Sequence, residues 1–199
     1  MDELEQLVAR AQARDVEAYG VIVRRFQDMA YGYGCSLLGD FHLAQDAAQE
    51  AFIEAYHVLP KLRDPAAFPG WFRRIVFKHC DRLTRGKRVP IAALDAALDV
   101  VSAKPDPVRA IEANEIRNKV LEAIQALPER ERTATALFYI NGYSQQEVAA
   151  FLDVPVSTVK DRLYSARTRL KKRMMDMIKD TIMKPRLSRS AEVHRPNRK

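Results

Sequence analysis

Between residues 160 and 173, in KDRLYSARTRLKKR, stand seven basic side chains and one acid. On a helical wheel Ser157, Thr158, Lys160, Asp161, Arg162, Tyr164, Ser165, Arg167 and Arg169 fall on one side, and Val159, Leu163, Ala166 and Leu170 on the other. Hydroxyl, ammonium and guanidinium groups so spaced are donors suited to phosphate oxygens. Lys160, Asp161 and Tyr164, near the start of the run, are placed to reach base edges. Asp161 can accept from cytosine N4, and Lys160 can donate to guanine. A second polar set has the opposite sign: Asp46, Gln49, Glu50 and Glu54 recur at helical steps in AQDAAQEAFIEAY. They make an acidic surface suited to a basic partner helix. An ordinary solvated face would show the same spacing in either set. Neither set is equipped for bond-making. Asp46 and Glu50 have no clear His or third ligand beside them for a metal. Cys35 and Cys80 lie far apart without a second pair, and read as small buried side chains. No catalytic residue, metal or cofactor is expected.

The elements that position the basic set are legible in YSQQEVAAFLDVPVSTVKDRL, residues 143–163. Ser144 and Glu147 form a capping box, which starts a helix burying Val148, Ala149 and Leu152. That helix must stop by Asp153–Pro155, because proline lacks the next amide donor and disfavours helix before it. Ser157 is then placed to cap the next helix. Two short helices, a tight turn and a basic second helix predict a helix-turn-helix whose second helix enters the major groove. Caps and turn spacing favour this reading over a plain αα-hairpin with a solvated basic face.

The remainder of the 199 residues divides into two parts. Residues 1–100 carry 13 Lys and Arg against 14 Asp and Glu, whereas residues 101–199 carry 20 against 12, so the net charge of +7 belongs to the second half. One half is suited to a polyanion and the other to a different partner. Leu4, Leu7, Val8 and Ala11 fit one helix face. A longer helix runs from Tyr19 to Leu37, and a third follows Asp40. A fourth carries Trp71, Ile75, Val76 and the stretch from His79 to Leu83, with Trp71 and Phe72 as core anchors. The fold class expected is all-α: an N-terminal helical bundle over 1–85, a flexible linker over 86–108, a helix-turn-helix domain over 109–175, and a basic disordered tail over 176–199. No run is long and apolar enough to insert in a membrane. The amphipathic, acidic start is unlike a secretory leader, and a cytoplasmic location is expected.

The stretch LLGDFHLAQDAAQEAFIEAYHVLPKLRDPAAFPGWFRRIV, followed after a linker by ALPERERTATALFYINGYSQQEVAAFLDVPVSTVKDRLYSARTRLKK, strongly resembles the extracytoplasmic-function (ECF) group of sigma-70-type RNA polymerase sigma factors. The resemblance spans about residues 5–173 and implies several partners. Core RNA polymerase would be held through its largest-subunit coiled coil, at Asp46, Gln49, Glu50 and Glu54, and through its flap. Promoter DNA and an anti-sigma factor would be the others. At the minus-10 element, Leu62, Arg63, Asp64, Ala67 and Phe68 would line or shape a pocket for a flipped base, a site that rewards unpaired strands. Arg73, Arg74, Lys78 and Arg82 would follow the DNA. At the minus-35 element, Lys160, Asp161, Tyr164 and Ser165 would face base edges or the groove wall. Arg132, Ser157, Thr158, Arg162 and Arg167 would hold phosphates. The chain departs from the family pattern at Gln45, where Glu is frequent, at Lys78, where Asn is common, at His79 and Asp81, and at Asp161, where Ser is common. Asp95 and Asp99 of the linker fit a strand occupying a nucleic-acid channel, or a plain tether.

Two other readings are weaker on the residues. A free-standing operator-binding regulator would need a ligand or receiver domain, and no βαβ pattern of one is visible. A helical enzyme acting on nucleic acid would need the metal ligands that are missing beside Asp46 and Glu50.

Overall fold

A computed structural model describes residues 3–86, 119, 120 and 122–192. Its helices are α1 (Glu3–Gln12), α2 (Val16–Leu38), α3 (Phe41–Val58), α4 (Phe68–Gly86), α5 (Glu129–Thr135), α6 (Gln145–Leu152) and α7 (Val156–Glu192). Two 3-10 turns, Leu59–Lys61 and Pro65–Ala67, join α3 to α4, and a π turn, Ala136–Ile140, extends α5. Among the described residues there is no strand, as the all-α reading expects. The expected linker, from residue 87 onward, lies outside them, with Asp95 and Asp99.

Local chemistry sets the helix ends. The Asp15 carboxylate accepts from the Ala18 amide to open α2, and that of Asp40 accepts from the Leu43 amide to open α3, both at 3.0 Å. Between them Gly39, at φ 64°, takes the left-handed conformation that ends α2. The core of the front bundle is aromatic. Phe68 and Phe72 stack at 5.6 Å, Phe26 meets both edge-on, and Phe52 lies 4.5 Å from Phe72. Such pairs add to simple area burial. Leu4, Val8 and Ala11 of α1 close one side of this core, and the Tyr19 hydroxyl donates to the Phe52 carbonyl at 2.6 Å.

In the rear half the capping box is present. The Glu147 amide donates to the Ser144 hydroxyl at 3.2 Å, and the Ser144 amide to the Glu147 carboxylate at 2.9 Å. Asp153 ends α6 at φ 57°, a left-handed position that short polar side chains tolerate. Helix α7 begins one residue before Ser157, at Val156, so Ser157 stands inside the first turn rather than at the cap. The α7 backbone then continues to Glu192, where a disordered tail was expected from residue 176. Lys, Arg and Met, strong helix formers, are frequent from 171 to 184 and outweigh the polar composition that suggested disorder.

Both helical units are present, and the described halves share one buried cluster. The Tyr33 ring meets Phe151 edge-on at 5.6 Å, and Ser36 and Thr133 share a hydrogen bond at 3.1 Å. The Arg132 guanidinium donates to the Ser36 carbonyl at 2.7 Å, and Arg74 pairs with Asp153 at 3.3 Å. Two glycines make room for side chains of the rear half: a Cβ on Gly32 would stand 2.3 Å from Asn141 Oδ1, and one on Gly70 would stand 3.0 Å from Asp153 Cβ. A glycine inside a helix such as α2 costs about 1 kcal/mol relative to Ala, and here close approach offsets that cost.

Candidate nucleic-acid interface

Val159, Leu163 and Ala166 anchor α7 with at most 2% of their surface exposed, which turns the opposite face of the helix outward. Lys160, Asp161 and Arg167 are exposed, and Tyr164 is 67% exposed. Ser157 is exposed, while Thr158 and Ser165 are half-buried at the flanks. The structure thus gathers these residues on a single accessible stripe. Arg169, read as part of it, is instead paired with Glu131 at 3.0 Å. Arg162 is half-buried, and its pKa is lowered by burial and by the nearby positive charges of Arg130 and Arg73.

Arg132 does not join that stripe. Its Nε reaches the Ser36 carbonyl, and its Nη1 donates to the carbonyls of Gln125 and Leu127 at 2.9 and 3.2 Å. Burial pushes its pKa down. The phosphate role assigned by resemblance is therefore corrected for this arrangement. Its Nε and Nη1 donors are held by backbone oxygens, because α5 packs on α2 at the point where Arg132 projects.

In the front half, Leu62, Arg63, Asp64 and Ala67 occur on one loop as expected. Arg63, Asp64 and Ala67 are exposed and Leu62 is half-buried against the core. The Asp64 carboxylate accepts from the Ala66 amide at 3.0 Å and so shapes the turn. Of the two roles expected for Phe68, lining or shaping, its burial fits shaping. The ring is fully buried, stacked on Phe72, and supports the loop from beneath instead of lining a pocket. A residue not anticipated from sequence holds the loop: the Gln12 amide donates to the carbonyls of Leu59 and Leu62, at 3.2 and 2.6 Å. No local signal marks it, since its partners lie 47 and 50 residues away.

Of the cations on α4, Arg82 is exposed, and Arg73 is half-buried with Nη1 3.4 Å from the Tyr33 hydroxyl. Arg74 leans on Asp153, and Lys78 is tied to Glu54 at 2.6 and 2.8 Å.

On α3, Asp46, Gln49 and Glu50 are exposed and make no internal hydrogen bond or ion pair. Glu54, read as part of the same docking set, faces α4. It takes hydrogen bonds from Lys78 and lies 2.7 Å from buried His79 Nε2. The Lys78 hydrogen bond is the main cause holding its carboxyl below the usual range. Two departures from the family pattern, Lys78 and His79, are thus partners of one carboxylate. Beside Gln49, a groove of about 410 Å³ between α2 and α3 is lined by Val23, Gln27, Asp28, Tyr31, Gln45 and Phe52.

Cys35 and Cys80 are buried, and desolvation pushes each thiol up to about 12, which suits the inert packing role expected of them. Among the described residues no cluster of His, Cys, Asp or Glu can hold a metal ion, and no helix is long and apolar enough to cross a membrane.

Comparison with known proteins matches both halves of the chain. The family model for Sigma-70 region 2 matches residues 22–89, and that for Sigma-70, region 4 matches residues 117–170. The RNA polymerase sigma-H factor of Pseudomonas aeruginosa is 34% identical over 185 residues, covering 88% of this chain and 96% of that protein. The ECF RNA polymerase sigma-E factor of Escherichia coli is 32% identical over 187 residues, covering 87% and 95%. Among solved structures, CnrH in complex with the cytosolic domain of CnrY matches with a TM-score of 0.57 and 25% identity, over 88% of this chain and 99% of that one. The sigma factor RpoE in complex with the anti-sigma factor NepR, from Bartonella quintana, shares the fold at a TM-score of 0.54 and 17% identity, over 79% and 96%. Matched by both region models and by relatives along nearly its whole length, the chain belongs to the ECF group of sigma-70-type sigma factors, a non-catalytic family that directs promoter-specific transcription by RNA polymerase.

Proposed function

We propose that this sigma factor divides its work between the two faces. Asp46, Gln49 and Glu50 on α3 dock on a basic coiled coil of core RNA polymerase. The loop from Leu62 to Ala67, with Arg63, Arg73 and Arg82, takes the unpaired minus-10 strand. The outward stripe of α7 reads the minus-35 duplex, with Lys160, Asp161 and Tyr164 at base edges and Ser157, Thr158 and Arg167 on phosphates. The observation that carries this reading is that Asp46, Gln49 and Glu50 on α3 and Lys160, Asp161 and Arg167 on α7 are exposed with side chains unpaired inside the chain, while neighbouring charges of the same type are neutralised internally. Carboxylates and cations left hydrated on a folded surface are available to a partner of opposite charge. The chain supplies recognition and not chemistry of its own, and acts where the polymerase works, in the cytoplasm. Two structural neighbours are solved with partners, CnrH with CnrY and RpoE with the anti-sigma factor NepR. A protein inhibitor that covers the same faces is accordingly part of this reading.

The test replaces Asp46 and Glu50 together by Lys. The variant should fail to bind core polymerase and fail to give promoter-specific transcripts, while its helical signal and thermal unfolding match the parent. Undiminished core binding would show that the docking surface lies elsewhere.

A further inference from the structure

The chain leaves α1 through a residue that seldom makes such a turn. The Arg14 amide donates to the Ala11 carbonyl at 3.0 Å and the Asp15 amide to the Arg10 carbonyl at 3.2 Å, which closes the helix C-terminus. Arg14 itself stands in the left-handed region, at φ 70°, where a Cβ is strained and glycine is the usual residue. Among the described residues one other non-glycine residue shares that region, Asp153, whose short polar side chain tolerates it. Glycine would make the Arg14 turn with less strain, so the turn alone does not account for the arginine.

What the arginine adds is a cation on a fixed platform. Its guanidinium lies over the Tyr56 ring, 5.5 Å from the centroid, and Tyr56 is held edge-on by Tyr19 at 5.0 Å. Arg14 is exposed and has no carboxylate partner among the described residues, whereas Arg10, one turn earlier, is neutralised by Asp15 at 2.7 Å. The same corner is fastened to the loop after α3. Gln12 donates to the Leu59 and Leu62 carbonyls, and Tyr56 lies one helical turn before Leu59. Lys61 and Arg63 on that loop are exposed and also without an internal ion pair, while the Asp64 carboxylate serves the turn by accepting from the Ala66 amide. Positive charge therefore continues from the loop onto the α1–α2 corner.

We propose that Arg14 is a further phosphate-binding residue for the unpaired minus-10 strand, its guanidinium taking a backbone phosphate beside the base that the loop from Leu62 to Ala67 receives. The inference rests on the assignment of that loop to the minus-10 strand, and adds to it a side chain from another element. A guanidinium forms charge-assisted, forked hydrogen bonds to phosphate, and single strands are held by cations that track the backbone. Stacking on Tyr56 orders the side chain before the strand arrives.

The test uses holoenzyme assembled from core polymerase and the full chain. Its probe is a promoter fragment that the parent transcribes, with the minus-10 stretch held open by mismatches. Arg14→Gly removes the cation and suits the left-handed turn. It should bind this DNA more weakly, and the slope of log affinity against log salt should fall by about 0.7, the loss of one single-strand phosphate contact. Its thermal unfolding should be no lower than the parent's, and its affinity for core polymerase should be equal. Arg14→Lys, which keeps the charge, should restore most of the slope; a slope as low as that of Arg14→Gly would overturn the inference. Arg63→Ala is the reference for the loop itself. If Arg63→Ala lowers the slope and Arg14→Gly does not, the inference falls and the assignment of the loop stands. If neither lowers it, the assignment of the loop falls and the inference with it. A lower melt of Arg14→Gly would reduce Arg14 to a helix end, and weaker core binding would make it a polymerase contact; either would overturn the inference.

Discussion

The front bundle and the rear module solve the same packing problem with different means. The front has four helices around Phe26, Phe52, Phe68 and Phe72, with Asp15 and Asp40 capping two of them. The rear relies on smaller side chains, among them Val148, Leu152, Val159, Leu163 and Ala166, and its largest buried ring, Phe151, rests on Tyr33 of the front. The front is complete in itself, whereas the rear draws part of its burial from its neighbour. A small module stabilised in this way is held only as long as its neighbour stays. This makes stability and domain placement a single quantity.

The largest expected effect tests that dependence. Phe72→Ala should cost about 3–5 kcal/mol of stability by opening the aromatic core, and denaturant melts followed in both halves should shift together. A rear half that keeps its own midpoint would break the comparison and make the shared core incidental. Next come the recognition side chains. Lys160→Ala should lose about 1–3 kcal/mol of discrimination at one base pair. Arg167→Ala should weaken all sequences alike and lower the salt slope by about one. Binding profiles of the two variants that coincide would remove the split between base reading and phosphate holding. Ser144→Ala should cost about 1 kcal/mol, read as a lower melting temperature of the rear half. An unchanged melt would mean that α6 is held by its packing on the front bundle and not by its cap.

The smallest effect concerns Glu54. Its folded pKa is depressed by Lys78, so its contribution is present above the ordinary carboxylate pKa and is lost as pH falls through the folded value. Glu54→Gln should therefore lower stability by less than about 1 kcal/mol at neutral pH, as expected of a partly exposed pair. Parent and variant should converge in acid. A difference that grows on acidification would reverse the sign and exclude the pairing.

What was legible in the sequence was short-range. The helix start after Asp40, the Ser144–Glu147 box, the stop of α6 by Asp153–Pro155 and the inward stripe of α7 all depend on residues a few positions apart, and each shows in the structure. The exposed part of the candidate site was legible for the same reason, because helical spacing alone puts Asp46, Gln49 and Glu50 on one face. Glu54 sits at the same spacing but under α4, and periodicity carries no information about a crossing helix. The inward contacts of Arg132 and Phe68 were not legible on the same ground, since their partners Ser36, Phe26 and Phe72 depend on how helices pack. The packing of the two halves on each other was hidden altogether. Nothing near Gly32 in the chain announces Asn141.

Helix α1 carries a practical consequence. The region 2 match begins at residue 22, so a fragment trimmed to the two matched regions would discard Leu4, Val8, Ala11 and Gln12. Such a fragment would keep the loop from Leu62 to Ala67 but lose the strut that fixes the carbonyls at its entrance. The loop should then loosen, so the first dozen residues belong to its support.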